Sequence, residues 1–395
     1  MPKICLYFQI HQPWRLTPVS IFDIGKANVR NHGDDKQNRN ILKKVTEKSY
    51  LPMLGLLERL MGEEDNFVAS FSVTGVALEQ FQEYGPDVIE FLKRLGNTSQ
   101  LEFLGETYYH SLAALYSPIE FLHQVQKHRN IIFDLFGQTP KVFRNTELIY
   151  TNKIADMVMK MGYKGMLAEG ADRILNGRRP TYLYQSPCGL PLLLKHYHLS
   201  DDIAFRFSTS SRSSQPLTAE TFVHWINSSF SDGETVNLFM DFETFGEHQW
   251  VDTGIFDFFY HFVKQFIASG GKFVTVSEAL VGTPVDTFDS PAPVSWADVD
   301  RDITAWRGNS QQFDSLQKIY AVEDKVLGCG DNKLIDDWRR LQTSDHFYYM
   351  CTKWANDGDV HAYFSHYKSP YEAYVNFNNA FTDIKLRLNN IYKNG

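Results

Sequence analysis

The sequence predicts an α/β fold in which a barrel of the TIM type is followed by a helical region. Short apolar runs alternate with longer helical patterns over the first part of the chain, and polar residues follow the ends of several of these runs. From residue 306 to residue 392 only helical patterns occur. Alternating strands and helices are typical of a parallel sheet, whose active sites lie at the carboxyl ends of the strands.

Eight runs have the length and apolar composition of strands in a buried sheet. They are residues 4–10, 67–73, 101–108, 142–145, 165–167, 192–196, 236–241 and 273–276. The segments between them have helical periodicity. These are residues 50–61, 76–95, 119–136, 152–161, 219–230 and 256–268.

A domain boundary is predicted where three prolines fall between residues 283 and 293, in the stretch GTPVDTFDSPAPV. Residues 1–285 are therefore expected to form the barrel, and residues 286–395 a helical region built against its active end.

The composition is that of an ordinary globular protein. With 395 residues, 43% of them hydrophobic, the chain is long enough to bury a large core. Its net charge of -8 and the lack of a basic stripe argue against nucleic acid or an acidic membrane surface as a partner. The four cysteines have no CxxC spacing, which excludes a zinc ribbon and is typical of reduced thiols. The N-terminus leaves no room for a signal peptide, and no apolar run approaches the roughly 20 residues that span a bilayer, so a cytoplasmic location is expected.

The stretch VNLFMDFETFGEHQW, residues 236–250, is the most informative part of the chain. Asp241, Glu243 and Glu247 follow directly on a buried strand, together with His248. On an extended backbone Asp241 and Glu243 share one face, and Gly246 permits a tight turn. Carboxylates crowded by aromatic side chains are costly to retain without a use, so this stretch predicts a functional site.

A second acidic stretch, KVFRNTELIY, contains Glu147, which follows the predicted strand 142–145 and is therefore expected at the same end of the barrel as Asp241. Two carboxyl groups that converge in this way are what glycoside hydrolysis requires, because one protonates the leaving oxygen while the other attacks the sugar or activates water. The neighbouring Arg144 is expected to keep Glu147 ionised. His11 and Glu106 also follow strand patterns, but each is a weaker indication alone.

These residues carry a resemblance to a known family. The stretches QIHQPWRL, EFLGETYYHSL, FRNTELIY, MDFETFGEHQW and VSEAL, in this order, resemble the five conserved stretches of glycoside hydrolase family 57, in its alpha-amylase-like branch. The resemblance continues through SDDIAFRF, SWADVDRDITAWRGN and LQTSDHFYYM and so covers nearly the whole chain. It implies an incomplete, seven-stranded TIM-type β/α barrel with a C-terminal helical region capping the active face.

The resemblance also implies roles for individual residues. Glu147 would be the nucleophile and Asp241 the general acid/base of a retaining mechanism, in which two carboxyl groups lie about 5 to 5.5 Å apart. Asp241 must then begin protonated, so burial and the negative charges of Glu147 and Glu243 are expected to raise its pKa. Contacts to the sugar are implied for His11, Glu106, His248, Trp306 and Asp345. The implied substrate is an alpha-glucan or maltooligosaccharide with alpha-1,4 bonds, and neither a metal nor another cofactor is implied.

Several alternatives remain open at this stage. A 4-alpha-glucanotransferase or branching enzyme would use the same intermediate and differ only in whether a sugar or water accepts the glycosyl group. A metal-dependent polysaccharide deacetylase or zinc mannosidase also places acids and histidines at the end of a barrel, although Gln12 after His11 and the lack of an HxxxH pair argue against it. A non-catalytic glycan-binding protein is a further alternative. The oligomeric state is not indicated.

Overall fold

The structure, a computed structural model, describes residues 2–26, 34–208, 217–231, 233–353 and 365–394. Ten strands lie in these ranges: β1 Lys3–Ile10, β2 Ala69–Val73, β3 Leu101–Phe103, β4 Val142–Arg144, β5 Gly165–Glu169, β6 Tyr184–Gln185, β7 Pro191–Lys195, β8 Thr235–Asp241, β9 Lys272–Val274 and β10 Asp286–Thr287.

The longer helices of the described ranges flank the strands or follow them. They are Asp35–Val45, Leu51–Glu63, Gly75–Tyr84, Pro86–Gly96, Pro118–Phe136, Asn152–Lys160, Tyr197–Ala204, Ala219–Ser229, Ile255–Ala268, Ser310–Tyr320, Asn332–Arg340 and Pro370–Asn394. Short helices are Ala113–Tyr116, Asp172–Leu175, Val276–Ala279, Thr304–Arg307, Glu323–Leu327 and Ser344–Tyr348. A π-helical turn is found at Thr46–Tyr50, and 3-10 turns at Thr146–Leu148, Phe242–Thr244 and Val251–Thr253.

The strands form two five-stranded sheets. In the first the order is β3-β2-β1-β8, with β9 also paired to β1, and every pair is parallel. In the second the order is β10-β6-β7-β5-β4, in which the pair of β6 and β7 is antiparallel and the other pairs are parallel.

The two sheets meet along two seams, so that seven strands surround a common interior. At one seam Gly105, just after β3, forms a parallel bridge with Phe143 of β4. At the other seam the side-chain amide of Asn237 in β8 donates to the carbonyl of Leu194 in β7 at 2.9 Å. The ring runs β1, β2, β3, β4, β5, β7, β8, and its backbone ladder is interrupted at both seams. The predicted incomplete barrel is therefore confirmed.

The side chains of β1 alternate between the two sides of this wall, as the pleat of a strand requires. Leu6 and Phe8 pack outward against the surrounding helices, whereas Tyr7 packs into the interior. The interior is apolar and is shared by Cys5, Leu104, Val142, Leu167, Leu193 and Phe239. Above this layer Gln9 is buried and begins a polar layer at the carboxyl end of the strands.

The eight predicted strands are all present, and most predicted ends agree with the structure to within two residues, but two predicted elements differ by more than that. The strand predicted for 101–108 ends at Phe103, and the residues beyond it form a loop. The helix predicted for 76–95 is divided into Gly75–Tyr84 and Pro86–Gly96, because Pro86 lacks a backbone N–H and restricts the residue before it. Strands β6 and β10 have two residues each, which is too short to give a sequence pattern.

The described chain beyond Ile303 is helical and packs over the barrel end that carries the polar layer. Trp306 and Trp338 are buried in the cluster that also contains Phe143 of β4. The hydroxyl of Thr343 donates to the carbonyl of Tyr109 at 2.9 Å, which joins the helical region to the loop after β3. The predicted division between residues 285 and 286 itself stays a prediction. Within the described residues, no helix is both long enough and apolar enough to cross a membrane.

Candidate active site

The carboxyl ends of β1, β4 and β8 face one cavity of about 960 Å³ between the barrel and the C-terminal helices. Among the lining residues are His11, Glu147, Asp241, His248, Trp306 and Asp345, all of which the sequence analysis had named. His11 and Asp345 are 334 positions apart in the chain, yet their side chains are hydrogen-bonded. The fold therefore brings most of the predicted site residues together.

Glu147 lies just after β4 in an unusual backbone conformation. Its φ is 58° and that of the following Leu148 is 51°, and residues other than glycine rarely adopt such positive values. The carboxylate accepts three hydrogen bonds: Oε2 from Nε1 of Trp296 at 2.8 Å, and Oε1 from Oγ of Ser344 at 3.1 Å and Nε2 of His110 at 3.2 Å. These donors hold the side chain in one orientation at the cavity wall.

His110 connects Glu147 to the buried Glu106. Its Nε2 lies 3.2 Å from Oε1 of Glu147, and its Nδ1 lies 3.6 Å from Oε2 of Glu106. Burial lowers the pKa of His110, but the two carboxylates outweigh burial and raise it to about 9. At neutral pH His110 is therefore an imidazolium that donates toward both acids.

The environment favours the ionised form of Glu147. Burial raises its pKa, but the hydrogen bond and charge of His110, the charge of Arg144 and the Trp296 donor outweigh burial, so that the pKa lies below its usual value. Arg144 is fully buried, and its guanidinium packs 4.8 Å from the centroid of the Trp296 ring. Arg144 lowers the pKa of Glu147, which is the direction predicted from the sequence.

Asp241 lies at the end of β8, in register with Gln9 of β1. Burial and the negative charge of Glu147 raise its pKa to about 6, although Arg144 and Lys195 act in the opposite direction. Glu147 and Asp241, which both line the cavity, therefore have pKa shifts of opposite sign. Such a difference is the pattern expected when one acid is kept protonated and the other ionised.

Glu243 differs from the expectation in two ways. Phe242–Thr244 is a 3-10 turn and not a continuation of the strand, yet Asp241 and Glu243 both line the cavity. Burial and the charge of Asp241 raise the pKa of Glu243 to about 8, so it is neutral at pH 7 and adds no negative charge beside Asp241. Its Oε1 is hydrogen-bonded to the hydroxyl of Tyr50.

His11 belongs to a hydrogen-bonded chain between the barrel and the helical region. Its Nδ1 lies 2.9 Å from the hydroxyl of Thr74, and its Nε2 lies 2.9 Å from Oδ2 of Asp345. The ring stacks on that of His110 with centroids 4.0 Å apart. Burial and the neighbouring imidazolium of His110 lower the pKa of His11, so we assign it as neutral, with Nε2–H donating to Asp345. Burial raises the pKa of Asp345, but His11 and His110 outweigh burial and hold it below its usual range.

Three other predicted contact residues have different surroundings. Glu106 has no exposed surface and does not line the cavity, because Gln9 and His110 cover it, so its predicted contact with a sugar is replaced by a supporting role for His110. His248 lines the cavity, and burial lowers its pKa to about 4. Trp306 forms part of the wall with 1% of its surface exposed.

His110, Trp296 and Ser344 contact Glu147 directly, although no role was predicted for them from the sequence. His110 lies in the quoted stretch EFLGETYYHSL, and Trp296 and Ser344 lie in stretches quoted for the resemblance, but nothing in their spacing indicates that they meet at Glu147. Across the ranges that the structure describes, no group of three or more His, Cys, Asp or Glu side chains is arranged to hold a metal ion.

Known proteins resemble this chain in sequence and in fold. The sequence model of Glycosyl hydrolase family 57 matches residues 5–287. A Methanocaldococcus jannaschii protein named "Putative alpha-amylase" is 39% identical over 401 residues, an alignment that covers 97% of this chain and 84% of that protein. The crystal structure of a branching enzyme from Pyrococcus horikoshii superposes with a TM-score of 0.67 at 16% identity, covering 88% of this chain and 85% of that one. An alpha-amylase structure from Thermotoga maritima superposes with a TM-score of 0.64 at 13% identity, covering 99% and 93%. At these identities the two structures support the fold alone.

Proposed function

Because the chain belongs to glycosyl hydrolase family 57, and is therefore a glycoside hydrolase, we propose that it cleaves the alpha-1,4 bonds of alpha-glucans with retention of configuration. The observation that carries this proposal is the pair of Glu147 and Asp241 on one cavity, with the pKa of the first lowered and that of the second raised. Retaining glycosidases need this difference, since one carboxyl group begins as an anion and the other as an acid.

In the first step a carboxylate oxygen of Glu147 attacks the anomeric carbon of the sugar. The bond between that carbon and the glycosidic oxygen breaks, and Asp241 gives its proton to the departing oxygen. The products are a glycosyl ester on Glu147 and a shortened glucan that leaves the site. As Glu147 loses its charge, the negative charge that raised the pKa of Asp241 disappears, which stabilises the ionised form of Asp241 that the next step uses.

In the second step Asp241 takes a proton from water, and the water oxygen attacks the anomeric carbon. The ester bond breaks and the carboxylate of Glu147 is regenerated. Each displacement inverts the anomeric carbon, so the product retains the starting configuration. This mechanism requires the two carboxyl groups to be about 5 to 5.5 Å apart, and a separation of about 6.5 to 9.5 Å would instead favour inversion.

The surrounding residues are suited to this chemistry. Trp296, Ser344 and His110 hold Glu147 by hydrogen bonds that a neutral ester keeps only in part. His11 and Asp345 line the cavity and present polar atoms that suit the hydroxyl groups of a neutral sugar, as His248 does. An alpha-glucan is supported as substrate by the relative that is 39% identical and carries the name of an alpha-amylase.

Product analysis on maltooligosaccharides of one defined length tests the proposal. Hydrolysis yields only products shorter than the substrate, with the alpha anomer formed first in a proton NMR time course. Products longer than the substrate would assign the chain to the glucanotransferase or branching type, which shares the intermediate. Initial formation of the beta anomer contradicts the double displacement.

A second experiment distinguishes the proposed glycoside hydrolase from a metal-dependent polysaccharide deacetylase. The enzyme is dialysed against a chelator and assayed on the same substrate and on an acetylated polysaccharide. Full activity on the maltooligosaccharide after dialysis is expected. Release of acetate that depends on added divalent metal would instead favour a deacetylase.

A further inference from the structure

A second cavity of about 780 Å³ lies on the outer surface beside the active cavity. It is formed by the loop after Gly246, by the start of the helix Ile255–Ala268 and by one side of the helix Leu51–Glu63. The mechanism described above uses none of its lining residues. Its lining includes Lys48, Arg59, Trp250, Val251, Asp252 and Asp257.

Trp250 is the central feature of this outer groove. It is 57% exposed, and no other tryptophan in the described ranges is exposed to a comparable extent. The neighbouring Val251 is 72% exposed. Exposed apolar side chains that are scattered singly need no explanation, but a large ring and an aliphatic side chain together in a concave surface mark a binding site.

The ring of Trp250 is held in place without being covered. Its Nε1 donates to the carbonyl of Glu247 at 3.1 Å, and the hydroxyl of Thr253 donates to the carbonyl of Trp250 at 2.6 Å. The ammonium group of Lys48 lies 5.5 Å from the ring centroid. A side chain that is fixed before binding loses little conformational entropy when a ligand stacks on it.

The polar groups of the groove suit a neutral, hydroxyl-rich ligand. Two basic side chains, Lys48 and Arg59, are interspersed with three acidic ones, so the groove carries both signs of charge and only a small net charge. These side chains offer both donors and acceptors around apolar rings. A sugar ring has an apolar face bounded by hydroxyl groups, which matches an aromatic platform with a polar rim.

The outer groove adjoins the active cavity, and an ion-paired group of side chains lies between them. Glu247 lines the active cavity and pairs with Lys44 at 2.5 Å and with Lys48 at 4.0 Å, and Lys48 lines the outer groove. The same loop therefore supplies His248 to one cavity and Trp250 to the other. His248 and Trp250 are two residues apart, so the two cavities are close enough for one extended ligand to occupy both.

We propose that the outer groove around Trp250 is an accessory binding site for a distal part of an alpha-glucan chain whose reacting bond lies in the active cavity. The ligand class rests on the proposed function, whereas the existence of the site rests on the groove. The site raises the affinity for long chains because the two parts of one chain bind together. Short oligosaccharides fill the active cavity alone and gain nothing from it.

The test compares Trp250→Ala and Trp250→Phe with the wild type on long-chain amylose and on the shortest maltooligosaccharide that is cleaved. For Trp250→Ala we expect kcat/KM on amylose to fall about ten-fold, which corresponds to ~1.4 kcal/mol, and kcat/KM on the short substrate to stay within two-fold. Trp250→Phe keeps an aromatic ring, so its kcat/KM on amylose should lie between those of the wild type and Trp250→Ala. Tyr371→Ala is the matched control, because Tyr371 is an aromatic residue that is 65% exposed outside the groove.

Retardation on immobilised amylose, measured with these variants in the Glu147→Gln background, reports binding without turnover. Weaker retardation of the Trp250→Ala protein, with unchanged retardation of the Tyr371→Ala protein, supports the site. Equal retardation, an equal loss of activity on short and long substrates, or a change of molecular mass in solution that indicates a protein contact would each overturn it.

The two proposals fail separately. If the wild type is retarded by amylose through Trp250 but neither cleaves nor transfers any alpha-glucan, the proposed function fails and the accessory site stands. If it cleaves alpha-glucans and Trp250→Ala has no effect on long chains, the accessory site fails alone.

Discussion

Two hydrogen bonds join Trp296 to Glu147. The indole Nε1 donates to Oε2 of the carboxylate at 2.8 Å, and the backbone N–H of Trp296 donates to the backbone carbonyl of Glu147 at 3.2 Å. The two residues are 149 positions apart, on opposite sides of the predicted domain boundary. Trp296 therefore stabilises both the carboxylate and the strained backbone at φ 58° that presents it.

Replacing Trp296 with Phe keeps an aromatic ring but removes the indole donor. A hydrogen bond to a charged group contributes about 1.5 to 3 kcal/mol, so we expect kcat/KM to fall about 10- to 100-fold. The pKa of Glu147 should rise, which moves the acidic limb of the pH profile to higher pH. Trp225→Phe is the control, because Trp225 lies outside the active cavity. An unchanged kcat/KM and pH profile for Trp296→Phe would contradict the positioning role.

Chemical rescue distinguishes the roles of the two carboxyl groups. Glu147→Gln should reduce turnover by at least about a thousand-fold while leaving the circular dichroism spectrum unchanged, because the ester can no longer form. With Glu147→Ala, added azide enters from the vacated side and gives a glycosyl azide of inverted configuration. With Asp241→Ala, azide attacks the ester on Glu147 and gives the retained configuration. Retained product from Glu147→Ala and inverted product from Asp241→Ala would exchange the roles of the two residues. Substantial residual activity of Glu147→Gln would show that Glu147 is not the nucleophile.

The pH dependence of kcat/KM should be bell-shaped with its alkaline limb near pH 6. Asp241 must begin protonated, and its raised pKa of about 6 means that activity is present below this pH and is lost as the pH rises through it. Glu147 must begin ionised, and its lowered pKa means that activity is lost only as the pH falls below the ordinary range of a glutamate. Measurement of kcat/KM from pH 3 to pH 9 in buffers of constant ionic strength tests this. An alkaline limb that persists unshifted in Asp241→Asn would assign it to another group.

His110 should act as a positioning residue for Glu147. His110→Gln removes the cation that lies between Glu106 and Glu147, so the pKa of Glu147 should rise and the acidic limb of the pH profile should move upward. We also expect kcat to fall about ten-fold or more, with a smaller change in KM, since a charge-assisted hydrogen bond is lost. His123→Gln is a control on the same segment of the chain, because the His123 side chain is 50% exposed. A lower stability with an unshifted pH profile would indicate a structural role only.

Gly246 should be required for the loop that carries His248. Its φ is 103°, and a Cβ atom there would lie 1.9 Å from the carbonyl oxygen of Lys48. Gly254 also has a positive φ, 78°, but a Cβ atom would meet nothing within 4 Å. From denaturant unfolding we expect Gly254→Ala to lower the free energy of unfolding by about 1 kcal/mol, because only the backbone is strained. Gly246→Ala should lower it by about 4 kcal/mol, because the Cβ atom also clashes with Lys48. Equal losses would show that the close approach to Lys48 does not matter.

The ends of the strands could be read from the sequence because a buried strand is a local pattern. Residues 236–241 form a mostly apolar run that ends in Asp241, and the structure ends β8 at the same residue. The strand predicted for 101–108 extends too far, since beyond the bridge of Gly105 to Phe143 the apolar residues are buried by the tertiary fold and not by a sheet. Local composition does not distinguish these two reasons for burial.

The raised pKa of Asp241 was predicted from the sequence, but only two of the three predicted causes are present. Burial and Glu147 do raise its pKa, as the sequence analysis expected. Glu243 was expected to help as an anion, but its own burial makes the neutral form favourable at pH 7. The distribution of charge among three nearby acids depends on the exposure of each, which spacing along the chain does not reveal.

By itself the sequence determined the type of fold, the family and several of the acids that line the active cavity, among them Glu147 and Asp241, because strand periodicity and the quoted stretches are properties of neighbouring residues. Only the tertiary structure decided what holds Glu147, since His110, Trp296 and Ser344 come from three distant segments that meet when the helical region packs on the barrel. The same packing buries Glu106 behind His110 and leaves Trp250 exposed in the outer groove. Burial and contacts between distant segments depend on how the helical region packs on the barrel, and no pattern of neighbouring residues indicates that packing.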